Sequence, residues 1–250
     1  MRYLIQFSYF GKRYHGWQNQ PNAITVQEVL EAALSTLLKK PMALMGAGRT
    51  DTGVHAKQMF AHFDIDGIAD ITDLIYRLNS LLPDDIAVQR IFKVHNDAHA
   101  RFDAVERTYE YWVCQEKNPF LTDAAHYIKY PLDFEKMNQA AELLLQQRDF
   151  KCFSKTHTDV KTYLCEVKKA VWEKKEGKII FTITADRFLR NMVRAIVGTL
   201  LDVGQGKSTL ADVKTILKSG DRGKAGSSVP AKGLYLTKVS YHNTIIQAHE

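Results

Sequence analysis

A chain of 250 residues, 45% of them hydrophobic, can bury a full core as one large domain or as two modest ones. Its three cysteines, Cys114, Cys152 and Cys165, include no C-x-x-C pair, which argues against a disulfide framework and against a cysteine-built zinc site. Lysine and arginine number 34 against 28 aspartates and glutamates, and the resulting formal charge of +6 turns the expected partners toward polyanions.

The chain starts Met1-Arg2-Tyr3-Leu4 with no apolar run long enough for a signal peptide or a membrane span, so a soluble, unprocessed cytoplasmic protein is expected. From Arg2 to Tyr9, the residues Tyr3, Ile5, Phe7 and Tyr9 alternate as in a half-buried strand. Thr25 followed by Glu28 has the spacing of a capping box. Val26, Val29, Leu30, Ala33, Leu34, Leu37 and Leu38 then recur at helical spacing until Pro41. Strand patterns at Met42 to Met45 and Met59 to Ile65 flank the glycine-rich stretch Gly46 to Ala56. A helix is expected from Asp70 to Leu82 and a strand from Ile86 to Val94.

The second half repeats this order loosely. It offers a strand at Thr108 to Gln115, a helix at Asp133 to Gln147, a hairpin at Leu164 to Glu173 and Lys178 to Ala185, a helix at Arg187 to Val203 and a last strand at Gly233 to His242. Asp149 to Lys161 reads as a polar, cationic loop with Phe150, Phe153 and His157 interleaved. The order lacks the regular spacing of βαβ units, so the predicted class is α+β with mostly antiparallel sheet. Two similar halves are expected, 1–103 and 104–250.

The densest concentration of chemistry is Gly46-Ala-Gly-Arg-Thr-Asp-Thr-Gly-Val-His-Ala56. Gly46, Gly48 and Gly53 permit tight turns and close approach to the main chain, and Asp51 is the carboxylate that the stretch presents. Thr-Asp-Thr-Gly is also ordinary turn chemistry, in which an aspartate serves only its own backbone. Arg49 favours a functional reading, because a guanidinium two residues away can keep the carboxylate ionised and can grip a phosphate. His55 is expected to support the loop through a hydrogen bond.

Arg187, Arg190 and Arg194 fall at i, i+3 and i+7 of the expected helix, and no acidic residue lies between Arg187 and Leu201. Such a stripe must find its counter-charge on another segment or on phosphates. Tyr109 and Tyr111, at the parity of Arg107 on a strand, are core aromatics or a stacking platform for a base. Other motifs fail. Gly206-Lys207-Ser208 lacks the earlier glycine of a P-loop. His95 and His99 have no third ligand at matching spacing, so no metal is expected. Asp51-Thr52-Gly53 spells the tripeptide of aspartic proteases, but the second carboxylate those enzymes need is missing from the chain.

Five segments, taken together and in order, resemble the tRNA pseudouridine synthases of the TruA type. They are Gly11 to Gln18 (Gly-Lys-Arg-Tyr-His-Gly-Trp-Gln), Gly46 to Ala56, Ala100-Arg101-Phe102 leading into Arg107-Thr108-Tyr109, Phe188-Leu-Arg-Asn-Met-Val-Arg194, and Gly233-Leu-Tyr-Leu236. The resemblance implies isomerisation of uridine to pseudouridine on the 3′ side of the tRNA anticodon arm (positions 38 to 40 in tRNA numbering), without metal or organic cofactor.

It also implies a homodimer bound to tRNA, and two α+β halves whose sheets join into one, with helices on one side and an active-site cleft between the halves. By motif position Asp51 becomes the catalytic carboxylate, and Arg194 the guanidinium that orients it and keeps its proton off. Tyr109 stacks on the uracil, Arg49 holds the extruded nucleotide, and Arg187, Arg190 and Leu234 complete the substrate contacts. Thr52 departs from the family's usual alanine without touching that set. A non-catalytic RNA-binding protein and, far behind it, a protease are the competing readings.

Overall fold

In a computed structural model, residues 1–155, 160–242 and 245 are described. Its strands are β1 (Arg2–Tyr9), β2 (Met45–Gly46), β3 (His55–Asp64), β4 (Ile86–Val94), β5 (Ala104–Cys114), β6 (His126–Tyr127), β7 (Val167–Lys175), β8 (Lys178–Ala185) and β9 (Leu234–Tyr241). Its helices are α1 (Val26–Leu38), α2 (Ile71–Leu81), α3 (Phe134–Glu142), α4 (Met192–Gly204) and α5 (Leu210–Ser219). They form two compact units: Met1–Glu106 together with the chain from Tyr235 on, and Arg107–Leu234.

In the first unit β1 lies between β3 and β4 and is antiparallel to both, while β9 joins β3 in parallel with Tyr235 opposite His55. Alternation on β1 does what its sequence predicts: Tyr3, Ile5, Phe7 and Tyr9 are all buried. Two capped helices follow from local signals. The Thr25 hydroxyl accepts the Glu28 N–H at the start of α1, and the Asp70 carboxylate accepts the Asp73 N–H at the start of α2. Lys39, in the left-handed region at φ 56°, ends α1 two residues before Pro41.

The reverse side of this sheet is covered in part by the chain after β4. Arg2 donates to the Ala98 carbonyl, Ala100 N–H donates to His62 Nδ1 at 3.1 Å, and Tyr241 donates to the Ala100 carbonyl at 2.6 Å. His62 is thereby held as a neutral ring.

The second unit repeats the plan with β8 antiparallel to both β5 and β7, and with α3 packed on β7 and on α4. The class is α+β with mostly antiparallel sheet, as the element order predicted.

Several elements differ from the sequence reading. The pattern at Met42 to Met45 yields strand only at Met45–Gly46, and β3 begins at His55 rather than Met59. Helix α5, unpredicted, is announced by a complete capping box between Thr209 and Asp212. Phe150 and Phe153 are buried in the core rather than interleaved with loop cations, and His157 lies outside the described residues.

The largest correction concerns the arginine helix, which starts at Met192 and carries Arg194 alone of the three arginines. The preceding segment is fixed otherwise. Asp186 accepts the N–H groups of Arg187 and Glu166, the Arg190 carbonyl accepts Lys155 N–H, and Asn191 turns through the left-handed region at φ 67°. Every residue of α4 except Arg194 and Asp202 is buried. A helix sunk this deep has no face on which to carry further guanidiniums.

Burial lowers the His62 pKa to about 4, with Arg2 and His99 adding to the effect. A histidine whose folded pKa lies below its ordinary value of about 6.5 contributes stability that is present above that value and lost as pH falls toward the folded pKa. In urea denaturation between pH 7.5 and pH 4.5, the wild type should therefore lose on the order of 2 to 3 kcal/mol more than His62→Gln.

Candidate active site

Asp51 sits at the head of a turn that leads into β3, with the Val54 N–H donating to its carbonyl at 3.1 Å. Gly53 takes φ 77° within this turn, a conformation closed to most side-chain-bearing residues. The turn is gripped by Gly11 to Gln18. Gly53 N–H donates to the Tyr14 carbonyl and Trp17 N–H to the Thr50 carbonyl. Gly16 lies so close that a Cβ there would run into the Thr50 carbonyl oxygen. Tyr9 and Thr50 share a hydroxyl hydrogen bond of 2.8 Å.

The gripping segment is itself tied down. His55 Nδ1 accepts the Gly11 N–H at 2.9 Å, which bears out the supporting role expected of it, and its ring stacks on Phe10 and meets Tyr235 at a tilt. Asp85 accepts hydrogen bonds from Arg13 at 2.6 Å and Tyr14 at 2.5 Å, and its carbonyl accepts Phe10 N–H. Burial works to raise the Asp85 pKa, but the hydrogen bonds from Arg13 and Tyr14 outweigh it and hold the carboxyl below its ordinary range. Burial, and then the bond to Asp85, push the Tyr14 hydroxyl up. Sequence reasoning singled out none of Tyr9, Tyr14, Gly16 or Asp85 for a role. The first three lie in or next to a quoted motif, whereas nothing near Pro83-Asp84-Asp85 points to the clamp.

The candidate residues fall into two groups. The first unit carries Asp51, half-buried, and Arg49, exposed two residues before it. Gly46, read as room for a ligand, instead packs against the Trp17 indole, whereas Gly48 faces open space.

The second unit carries Tyr109, Arg187, Arg190, Arg194 and Leu234. Tyr111 is wholly buried and donates to the Pro230 carbonyl, so it belongs to the core. Tyr109, on the same strand face, is half-exposed and meets Phe188 edge to face with centroids 5.1 Å apart. Arg107 reaches the Asp186 carbonyl. Arg194 lies near Tyr111, and its Nε donates to the Val229 carbonyl at 2.7 Å. It stands in the first turn of α4, where the helix dipole disfavours a cation. Arg187 is half-buried, Arg190 exposed and Leu234 buried. Among the described residues no group of three His, Cys, Asp or Glu side chains is placed to hold a metal ion, and no helix is long and apolar enough to cross a membrane.

The first unit thus presents a clamped carboxylate turn, and the second presents a half-exposed tyrosine and three arginines. The family model described as tRNA pseudouridine synthase matches residues 5–103 and 140–242. The chain is 52% identical to the tRNA pseudouridine synthase A of Porphyromonas gingivalis, covering 96% of this chain and 97% of that protein. It is 51% identical to the enzyme of that name from Bacteroides thetaiotaomicron, over 98% of this chain and 92% of the relative. A Thermoanaerobacter sp. protein of the same name is 42% identical over 95% of this chain. The chain belongs to the tRNA pseudouridine synthase family, whose members are isomerases.

Gly16→Ala should cost about 1 to 3 kcal/mol, read by urea denaturation, because either the Thr50–Asp51 peptide or the Gly16 backbone must shift. Asp85→Asn should leave the fold in place but speed amide hydrogen exchange at Gly53 and Val54. Unchanged exchange there would show that the clamp does not hold the turn.

Proposed function

We propose that this protein isomerises uridine to pseudouridine on the 3′ side of the tRNA anticodon arm, with Asp51 as its catalytic carboxylate and no cofactor. The observation that carries the reading is the Asp51 turn itself, a half-exposed carboxylate whose backbone is fixed on both sides by close main-chain contacts. Membership of the family supplies the reaction class.

The chemistry follows from the substrate. The N1–C1′ bond breaks, uracil turns within the pocket, C5 bonds to C1′, and the proton from C5 is lost while N1 regains one. Positive character on the sugar calls for an ionised carboxylate, which attacks C1′ or takes a proton from C2′. Since no water is consumed, one carboxylate suffices, and exclusion of water protects the severed base. In this proposal Arg194 supplies the fixed positive charge that orients Asp51. Its place in the first turn of α4, which costs about 0.3 to 1 kcal/mol against the helix dipole, is one that function explains better than stability does.

Tyr109 stacks on the base. Its half-exposed ring, braced by Phe188, suits that task, whereas buried Tyr111 does not. Arg49, Arg187, Arg190 and Leu234 contact the substrate. Extruding the uridine costs a few kcal/mol, which these contacts must offset. A homodimer in the cytoplasm is part of the same proposal.

Asp51→Asn should lower pseudouridine formation on tRNA by about 10⁴-fold or more while tRNA binding stays within a few-fold of wild type. Turnover near wild type would refute the assignment, and salt-sensitive binding by a wild type that forms no modified base would favour the non-catalytic reading. Replacing Arg187 or Arg190 by alanine should weaken binding to all tRNAs and flatten its salt dependence, whereas Arg194→Ala should depress kcat more than affinity. Identical behaviour of all three would remove the division of labour.

A further inference from the structure

The first unit carries a second feature with the chemistry of RNA recognition, away from the Asp51 turn. A shallow groove of about 280 Å³ is lined by Gln6, Gln58, Phe60, Arg90, Phe92, Lys238 and the β9 residues that follow Lys238. The Arg90 guanidinium lies over the Phe92 ring, 5.5 Å from its centroid. Register places Arg90 beside Gln6 on β1, and Gln6 beside Phe60 on β3.

Arg90 and Lys238 are exposed, and among the described residues neither meets a carboxylate within 4.0 Å, whereas Arg2, Arg13 and Lys40 of the same unit are all paired. The Gln6 amide has no side-chain hydrogen bond among the described residues, and Gln58 Oε1 is occupied by the Val239 N–H. Exposed cations thus flank the groove on both sides, Arg90 on β4 and Lys238 on β9 with β1 and β3 between them, while the floor offers aromatic surface and Gln6 keeps both a donor and an acceptor.

Charge separates this groove from the larger one of about 380 Å³ beside Tyr9 and Phe10, which is lined by Asp84, Asp85 and Lys57, so that carboxylates outnumber cations in its lining.

We propose that the groove holds one unpaired nucleotide of the substrate tRNA, with its base against Phe92 and the Arg90 guanidinium, its two flanking phosphates at Arg90 on one side and Lys238 on the other, and its base edge within reach of Gln6. Stacking on an aromatic and a guanidinium plane with a flanking lysine is how single-stranded nucleic acid is held. A glutamine amide can pair with a base edge through donor and acceptor together. This subsite rests on the RNA-modifying reading and deepens it. Strand β3 runs from His55, next to the Asp51 turn, to Phe60 in the groove, about 17 Å at roughly 3.3 Å per residue. It therefore fixes the distance between the reacting uridine and a second nucleotide on one rigid element.

The test measures binding of an unmodified tRNA transcript by fluorescence anisotropy across salt concentrations, with pseudouridine formation assayed on the same proteins. Arg90→Ala/Lys238→Ala should weaken binding roughly tenfold and lower the slope of log K against log salt by about two, with kcat at saturating tRNA unchanged. Phe92→Leu, which keeps the apolar volume, should weaken binding at every salt concentration without changing that slope. Lys214→Ala/Lys218→Ala, on exposed positions of α5, removes the same charge elsewhere.

A groove variant that binds as well as this control overturns the proposal, as does a loss of affinity matched by the control. A change in oligomeric state with intact RNA affinity overturns it too, by assigning the groove to a second copy of the chain. Binding that depends on the groove in a wild type that makes no pseudouridine would sustain the subsite while sinking the reaction assigned to Asp51.

Discussion

The geometry of the first unit depends on one close approach, where the chain at Gly16 lies directly against the Thr50 carbonyl and leaves no room for a side chain. A carboxylate on a free loop would lose orientation among many backbone states, and each residue fixed in one state costs about 1 to 2 kcal/mol. Here that cost is met by main-chain hydrogen bonds and packing in the fold as a whole. Gly53 binds the Tyr14 carbonyl, Tyr9 binds Thr50, and β1 and β3 lead into and out of the region in fixed register. Asp85 extends the constraint to the start of β4 through Arg13 and Tyr14. The carboxylate is thus presented by a backbone that three strands define.

The second unit solves a different problem. Helix α4 is covered on nearly every side, and the three arginines lie before it or in its first turn. Arg187 and Arg190 fall in the connecting segment, whose peptide groups are bound by Asp186, Lys155 and the turn at Asn191. Arg194 is the one cation admitted to the helix, and its Nε is anchored on the Val229 carbonyl. Two tyrosines spaced by two residues on β5 meet opposite fates for the same geometric reason. Tyr111 points into the core beneath Pro230, and Tyr109 sits at the margin against Phe188.

Positive charge is also sorted by position. Arg2, Arg13 and Lys40 are bound to carboxylates and serve the fold, although solvent screens pairs of this kind. Arg49, Arg90 and Lys238 are exposed, and the last two border aromatic surface. A net charge of +6 says only that polyanions are attracted. Its meaning lies in which cations are already neutralised.

By itself the sequence determined β1, β4, α1 and α2 nearly to the residue, because alternation, helical period and an N-terminal cap are settled within a few neighbours. It also set out Asp51 as the carboxylate of a glycine-rich turn, and its ordered motifs disclosed the family. Only the tertiary structure decided where α4 begins, that Tyr111 rather than Tyr109 is core, that Phe150 and Phe153 are buried, and that Asp85 holds Arg13 and Tyr14 across more than 70 residues of chain. Those outcomes depend on which surfaces meet once distant segments pack, and no local pattern of residues encodes that meeting.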